Sequence, residues 1–99
     1  MGHSYKGQSA NPGSLTLWAA WTTANTGTGA IGWAYPANAP PRAYVYQAPT
    51  SGGAYVFFAN VPTVNAGISG LTSGWYAIVQ GCAVDGSPIT KLSTPRLVT

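Results

Sequence analysis

GLTSGWYAIVQGCAVDG, residues Gly70–Gly86, is the stretch on which the fold turns. Its centre is dense in β-branched and aromatic residues and shows no helical period, so it reads as a strand. Trp75, Ala77, Val79 and Ala83 fall on one parity, and Tyr76, Ile78, Cys82 and Val84 on the other. Successive side chains of a strand point to opposite faces. An antiparallel sheet normally buries one face and wets the other. This strand is apolar on both, so its second face needs a cover. The expectation from sequence is that a neighbouring subunit supplies it.

Similar runs extend in both directions: LTLWAAWTT (Leu15–Thr23), GAIGWAY (Gly29–Tyr35), RAYVYQA (Arg42–Ala48), AYVFFAN (Ala54–Asn60), AGISGL (Ala66–Leu71), WYAIVQGCAV (Trp75–Val84) and a last segment from Ile89 to Val98. Turn signals separate them: NTGTG, PANAPP, PTSGG, VPTVN, LTSG and DGSP. Short apolar runs punctuated this way predict an all-β fold, a two-sheet Greek-key sandwich of about seven strands. Parity then assigns the core to Leu15, Leu17, Trp21, Ile31, Trp33, Ile68, Leu71, Val79 and Ala83, with one parity each of Tyr44–Tyr46 and Tyr55–Phe58. Between Arg42 and Asn60 only Arg42 and the flanking prolines guard against edge pairing. Ahead of the first run, Met1–Ser14 is polar and Gly-containing; it reads as an extended arm preceding a sandwich domain over 15–99.

The stretch Ala66–Pro88, AGISGLTSGWYAIVQGCAVDGSP, resembles the E–F–G region of a fibronectin type III domain. Leu71 and Gly74 match that family's Leu-x-Pro-Gly turn, with Ser73 where the family has Pro. The Trp75/Tyr76 pair matches its aromatic strand opening, and Ala83-Val84-Asp85-Gly86 its exit before the last strand. Trp33, in GAIGWAYPANAPP, falls where the family keeps a core Trp, followed by a Pro-rich loop. The likeness spans roughly Leu15 to Thr99. It implies a fibronectin type III-like or immunoglobulin-like β-sandwich.

Only 5% of the 99 residues are charged: Lys6, Arg42, Lys91 and Arg96 against Asp85. An ordinary soluble surface is about a quarter to a third charged. Either partners hide much of this surface, or the protein works outside the cell or on a virion. The net charge of +3 comes from cations scattered along the chain. Nucleic-acid binding draws on clustered phosphate contacts, so it is not expected. Cys82 is the only cysteine, which excludes an internal disulfide and marks it as a small apolar filler. MGHSYKGQSANPG has no apolar signal core, and no run reaches transmembrane length. Synthesis in a cytosol is expected, with no membrane partner.

Chemistry-bearing residues are sparse. GTGAIG, Gly27–Gly32, matches the dinucleotide fingerprint letter for letter but runs into Trp33-Ala34-Tyr35-Pro36, which is no helix. It reads as a hairpin turn, and no cofactor is expected. Asp85 is the sole carboxylate side chain; acid–base pairs need two and calcium cages several. Asp85-Gly86 is a turn dipeptide. His3 is far in sequence from Cys82 and Asp85, so neither a metal site nor a Cys–His pair is expected. No catalytic site is expected.

The combination points to a non-enzymatic structural module of a virus particle. The expectation is a bacteriophage capsid decoration (cement) protein that binds and stabilises coat subunits, made in the host cytoplasm. A phage tail or appendage component, a carbohydrate-binding adhesive module at a cell surface, and a self-assembling filament or surface-layer subunit stay open. The expected partner contacts are Tyr5 and Lys6 of the arm, which pairs by backbone with a neighbour, and Trp18, Tyr44, Tyr46 and Ile78 on outer faces. Tyr and Trp enrichment at interfaces supports that choice. Trp18 with Tyr44 or Tyr46 is the sugar-stacking alternative.

Overall fold

Apolar residues on both faces of Arg42–Ala48 and Tyr76–Cys82 build the two strands around which everything else packs. The computed structural model describes residues 22–34, 39–62 and 67–99. Within them seven strands form two antiparallel sheets: β1 (Thr22–Gly27), β2 (Ala30–Ala34), β3 (Arg42–Ala48), β4 (Val56–Pro62), β5 (Gly67–Ile68), β6 (Tyr76–Cys82) and β7 (Arg96–Leu97). One sheet has the order β1-β2-β5 and the other β4-β3-β6-β7. β1–β2 and β3–β4 are hairpins, while the chain changes sheet between β2 and β3, β4 and β5, and β5 and β6. This is the all-β, two-sheet Greek-key sandwich the turn spacing predicted. Met1–Trp21 lies outside the described residues, and with it the arm and the core candidates Leu15, Leu17 and Trp21.

The inter-sheet core follows parity. Ile31 and Trp33 of β2 face Ala43 and Val45 of β3 and Ala77 and Val79 of β6, with Leu71 and Val98 closing the ends. Ile68, Phe58 and Val61 pack against this cluster from partly buried positions. Full burial of a side chain such as Ile31 or Val79 stabilises the fold by about 1.5–3 kcal/mol. Ala83, expected in the core, instead lies just beyond β6, because the strand ends at Cys82 where the next turn begins.

Strand limits deviate from the sequence reading where turns and bulges intervene. β3 coincides with its predicted run. β1 continues through Asn25 to Gly27, inside the predicted NTGTG turn, because a bulge between Asn25 and Gly27 absorbs the extra residue. The reversal falls at Thr28–Gly29. Gly29 has φ +67° and donates its N–H to the Thr99 carbonyl at 2.6 Å, while its own carbonyl accepts from Leu71 N–H at 2.9 Å. A Cβ there would sit 3.0 Å from the Leu71 carbonyl oxygen, so glycine is required where the hairpin meets the chain's other end.

The last segment is the largest departure. A continuous strand was expected from Ile89 to Val98, yet only Arg96–Leu97 pair regularly with β6. Pro88 and Pro95 bound the intervening stretch, and neither offers an N–H to a ladder. Side-chain hydroxyls take over the missing carbonyls. Val79 donates its N–H to Ser93 Oγ at 2.8 Å, and Gly81 donates to Thr90 Oγ1 at 2.9 Å. In return, Ser93 N–H donates to the Val79 carbonyl, and the Ile89 and Thr90 N–H groups both donate to that of Gly81. Gln80 Nε2 adds a 2.8 Å bond to the Thr90 carbonyl. The backbone groups of β6 on this side are therefore satisfied without a regular strand beside it.

Candidate interaction surface

Tyr44 and Tyr46 of β3 and Ile78 and Cys82 of β6 all lie on the outer face of the four-stranded sheet. They form a second apolar cluster, against which Tyr55 and Leu92 pack. Relative exposures of Tyr44, Tyr46 and Ile78 are 3%, 0% and 2%. Over Ile78–Cys82 the second face is thus closed within the chain, while Val84, beyond β6, stays exposed. Where sequence parity points to an outside subunit, Tyr44, Tyr46 and Leu92 of the same chain cover Ile78 and Cys82. Trp18, Tyr5 and Lys6 lie outside the described residues, so the three contact residues that the structure does bring together are those of β3 and β6.

The rim of this cluster is polar and well tied. Arg42 Nε donates to Asn60 Oδ1 at 2.9 Å, and Nη2 donates to the Asn60 carbonyl at 3.3 Å. Asn60 Nδ2 in turn donates to the Tyr44 hydroxyl at 3.2 Å. Burial pushes the Tyr44 hydroxyl above its ordinary pKa, with the neighbouring Cys82 thiol adding to the effect. Burial, with a smaller contribution from Asp85, pushes the Cys82 thiol up to about 12, so it stays protonated and unreactive. Asp85 is the opposite case. The N–H and Oγ of Ser87 both donate to its Oδ1, at 3.0 and 2.7 Å, and hold its carboxyl below the usual range.

What remains open to solvent is a different set of apolar residues. Val56 and Phe57 on β4 are 54% and 49% exposed, and Val84 and Leu97 are also exposed. Phe57 is an outer-face residue because of a bulge. Val45 pairs with Ala59 and Tyr46 with Phe57, which makes Phe58 the extra residue and sends it toward the inter-sheet core. Sequence parity, counted without the bulge, had no means of separating the two phenylalanines. The ring of Phe57 touches Tyr44 and Tyr46 at centroid distances of 5.7 and 5.9 Å, inclined by 53° and 73°. Inclined rings of this kind form a packed cluster. A sugar platform needs parallel rings open to solvent, which these are not.

β4 is one edge of its sheet. Arg42, which covers the Asn60 carbonyl, and Pro62 guard it as read from sequence, and the bulge adds a third guard by breaking its hydrogen-bonding row. GTGAIG sits at the β1–β2 reversal and enters a strand, not a helix. Among the described residues no group of three or more His, Cys, Asp or Glu is placed to hold a metal ion. No helix among them is long and apolar enough to cross a membrane. No family model matches the sequence, and neither a curated protein nor a solved structure matches it.

Proposed function

We propose that this protein is a non-enzymatic structural module of a virus particle, a bacteriophage capsid decoration protein made in the host cytoplasm that clasps coat subunits. The observation that carries the reading is the pairing of a nearly uncharged exterior with a half-exposed aromatic ring, Phe57, on the outer face of the edge strand β4. Aromatic residues are enriched at protein contact sites. Phe57 packs against Tyr44 and Tyr46, so a coat or tail subunit would meet a rigid ring-packed surface rather than mobile side chains. The finer likeness to fibronectin type III and immunoglobulin-like domains draws support from the three-plus-four sheet arrangement and from Trp33 of β2 in the core. The step from such a fold to a virion is by analogy. Each contact of this size is weak, and repetition over many copies supplies avidity.

Mass photometry of the purified chain, alone and with preformed capsids or tails of its parent particle, tests the reading. The expected result is a monomer that binds particles, with Phe57→Lys reducing occupancy while the fold survives. Spontaneous polymers would support the filament alternative, and glycan affinity of the isolated chain the adhesive one. Full particle occupancy by Phe57→Lys, or no particle binding by the parent chain, overturns the proposal. The inclined rings do not favour a glycan platform, which ranks below the protein contact.

A further inference from the structure

We propose that Asp85–Gly86 is a latent isoaspartate site that the β6–β7 turn holds closed, so that the modification accumulates only when this turn opens. It is the chain's one Asp-Gly pair, and none of its asparagines precedes a glycine. The turn itself requires the labile partner. Gly86 has φ +92°, a conformation that side chains disfavour, and it is buried. The same missing side chain leaves the Gly86 nitrogen unhindered for attack on the Asp85 side chain.

In that reaction the Gly86 amide nitrogen bonds to Cγ of the protonated Asp85 carboxyl. The tetrahedral adduct loses one water, made from the hydroxyl of the protonated carboxyl and the amide proton, and a five-membered succinimide remains. One water then adds back at either carbonyl, which yields aspartate or isoaspartate with no net change in atoms. Three contacts oppose the first step. Gly86 N–H donates to the Ala83 carbonyl at 2.9 Å, which occupies the attacking nitrogen. Ser87 N–H and Oγ both hold Asp85 Oδ1, which fixes the carboxyl toward Ser87 and away from a free swing onto the Gly86 nitrogen. Hydrogen bonds to the ionised carboxylate also disfavour the protonated form the reaction consumes. Isoaspartate would insert a backbone carbon beside the Cys82–Pro88 bridge and break the turn.

The experiment is timed incubation of the full chain in mildly acidic buffer, native and in urea, with isoaspartate at residue 85 quantified by peptide mapping. If each of the three bonds must break and each contributes its typical share, native formation is expected about tenfold or more slower than in urea. Ser87→Ala removes one of them and is expected to raise the native rate about threefold to tenfold while leaving the urea rate unchanged. Equal native and urea rates would overturn the proposal, and so would a Ser87→Ala native rate that matches the parent chain. The native-versus-urea comparison needs no variant, so it decides the matter even where Ser87→Ala disturbs folding.

Discussion

Thr90→Val probes the hydroxyl ladder that replaces a seventh full strand. Thr90 is completely buried, and its Oγ1 accepts the Gly81 N–H at 2.9 Å and donates to the Lys91 carbonyl at 2.8 Å. Valine keeps the shape and removes both bonds. The Gly81 N–H would then be a buried donor with its acceptor gone, a loss of about 1–3 kcal/mol. Regaining a water at the partly buried Lys91 carbonyl limits the second loss to at most about 1 kcal/mol. The sum, roughly 1–4 kcal/mol, is a sizeable share of the 5–15 kcal/mol typical for a domain. Urea unfolding is the assay: the midpoint should fall by about 0.5–2 M at unchanged slope, for a slope of about 2 kcal/mol/M. Exposed Thr94 is the control, and Thr94→Val should stay within about 0.5 kcal/mol of the parent. A Thr90→Val loss no larger than that of the control would refute the idea that hydroxyls carry this edge of β6.

Three further outcomes are expected. Ile31→Ala, at a fully buried core position between the sheets, should destabilise by about 2–5 kcal/mol in the same assay. Cys82 should resist thiol reagents in the native chain and react readily in urea. Its folded pKa, raised from the usual 9.0 to about 12, favours the native state below pH 9 and should cause stability to fall as pH climbs from there, as alkaline unfolding curves would register. At the acid end the one carboxylate side chain, Asp85, is lowered, so its contribution is complete at neutral pH and is lost only as pH falls below the usual 3.8. The fold should therefore resist acid well; an unfolding transition at mildly acidic pH by circular dichroism would contradict this, and Asp85→Asn should remove what little acid sensitivity exists.

The outer face of β6 shows how far sequence reasoning reaches. That Ile78 and Cys82 are apolar on the wrong side for a simple sandwich was plain from their parity. Their cover was not, because it comes from Tyr44 and Tyr46, far earlier in the chain, and from Leu92 beyond a turn. The same holds for contact residues. Tyr44, Tyr46 and Ile78 are correctly grouped on one face but closed to solvent, while Val56 and Phe57 are open and carried no distinguishing signal.

By itself the sequence determined the all-β class, the limits of β3 and the core parity of Ile31, Trp33 and Val79. Each of these rests on the two-residue period of a strand and on local turn chemistry, which neighbouring residues alone specify. Only the tertiary structure decided the bulge that divides Phe57 from Phe58, the hydroxyl ladder of Thr90 and Ser93, and the closure of the second face. Those features answer to backbone donors and apolar surface presented by segments distant in sequence, and such demands exist only once the sheets are in place.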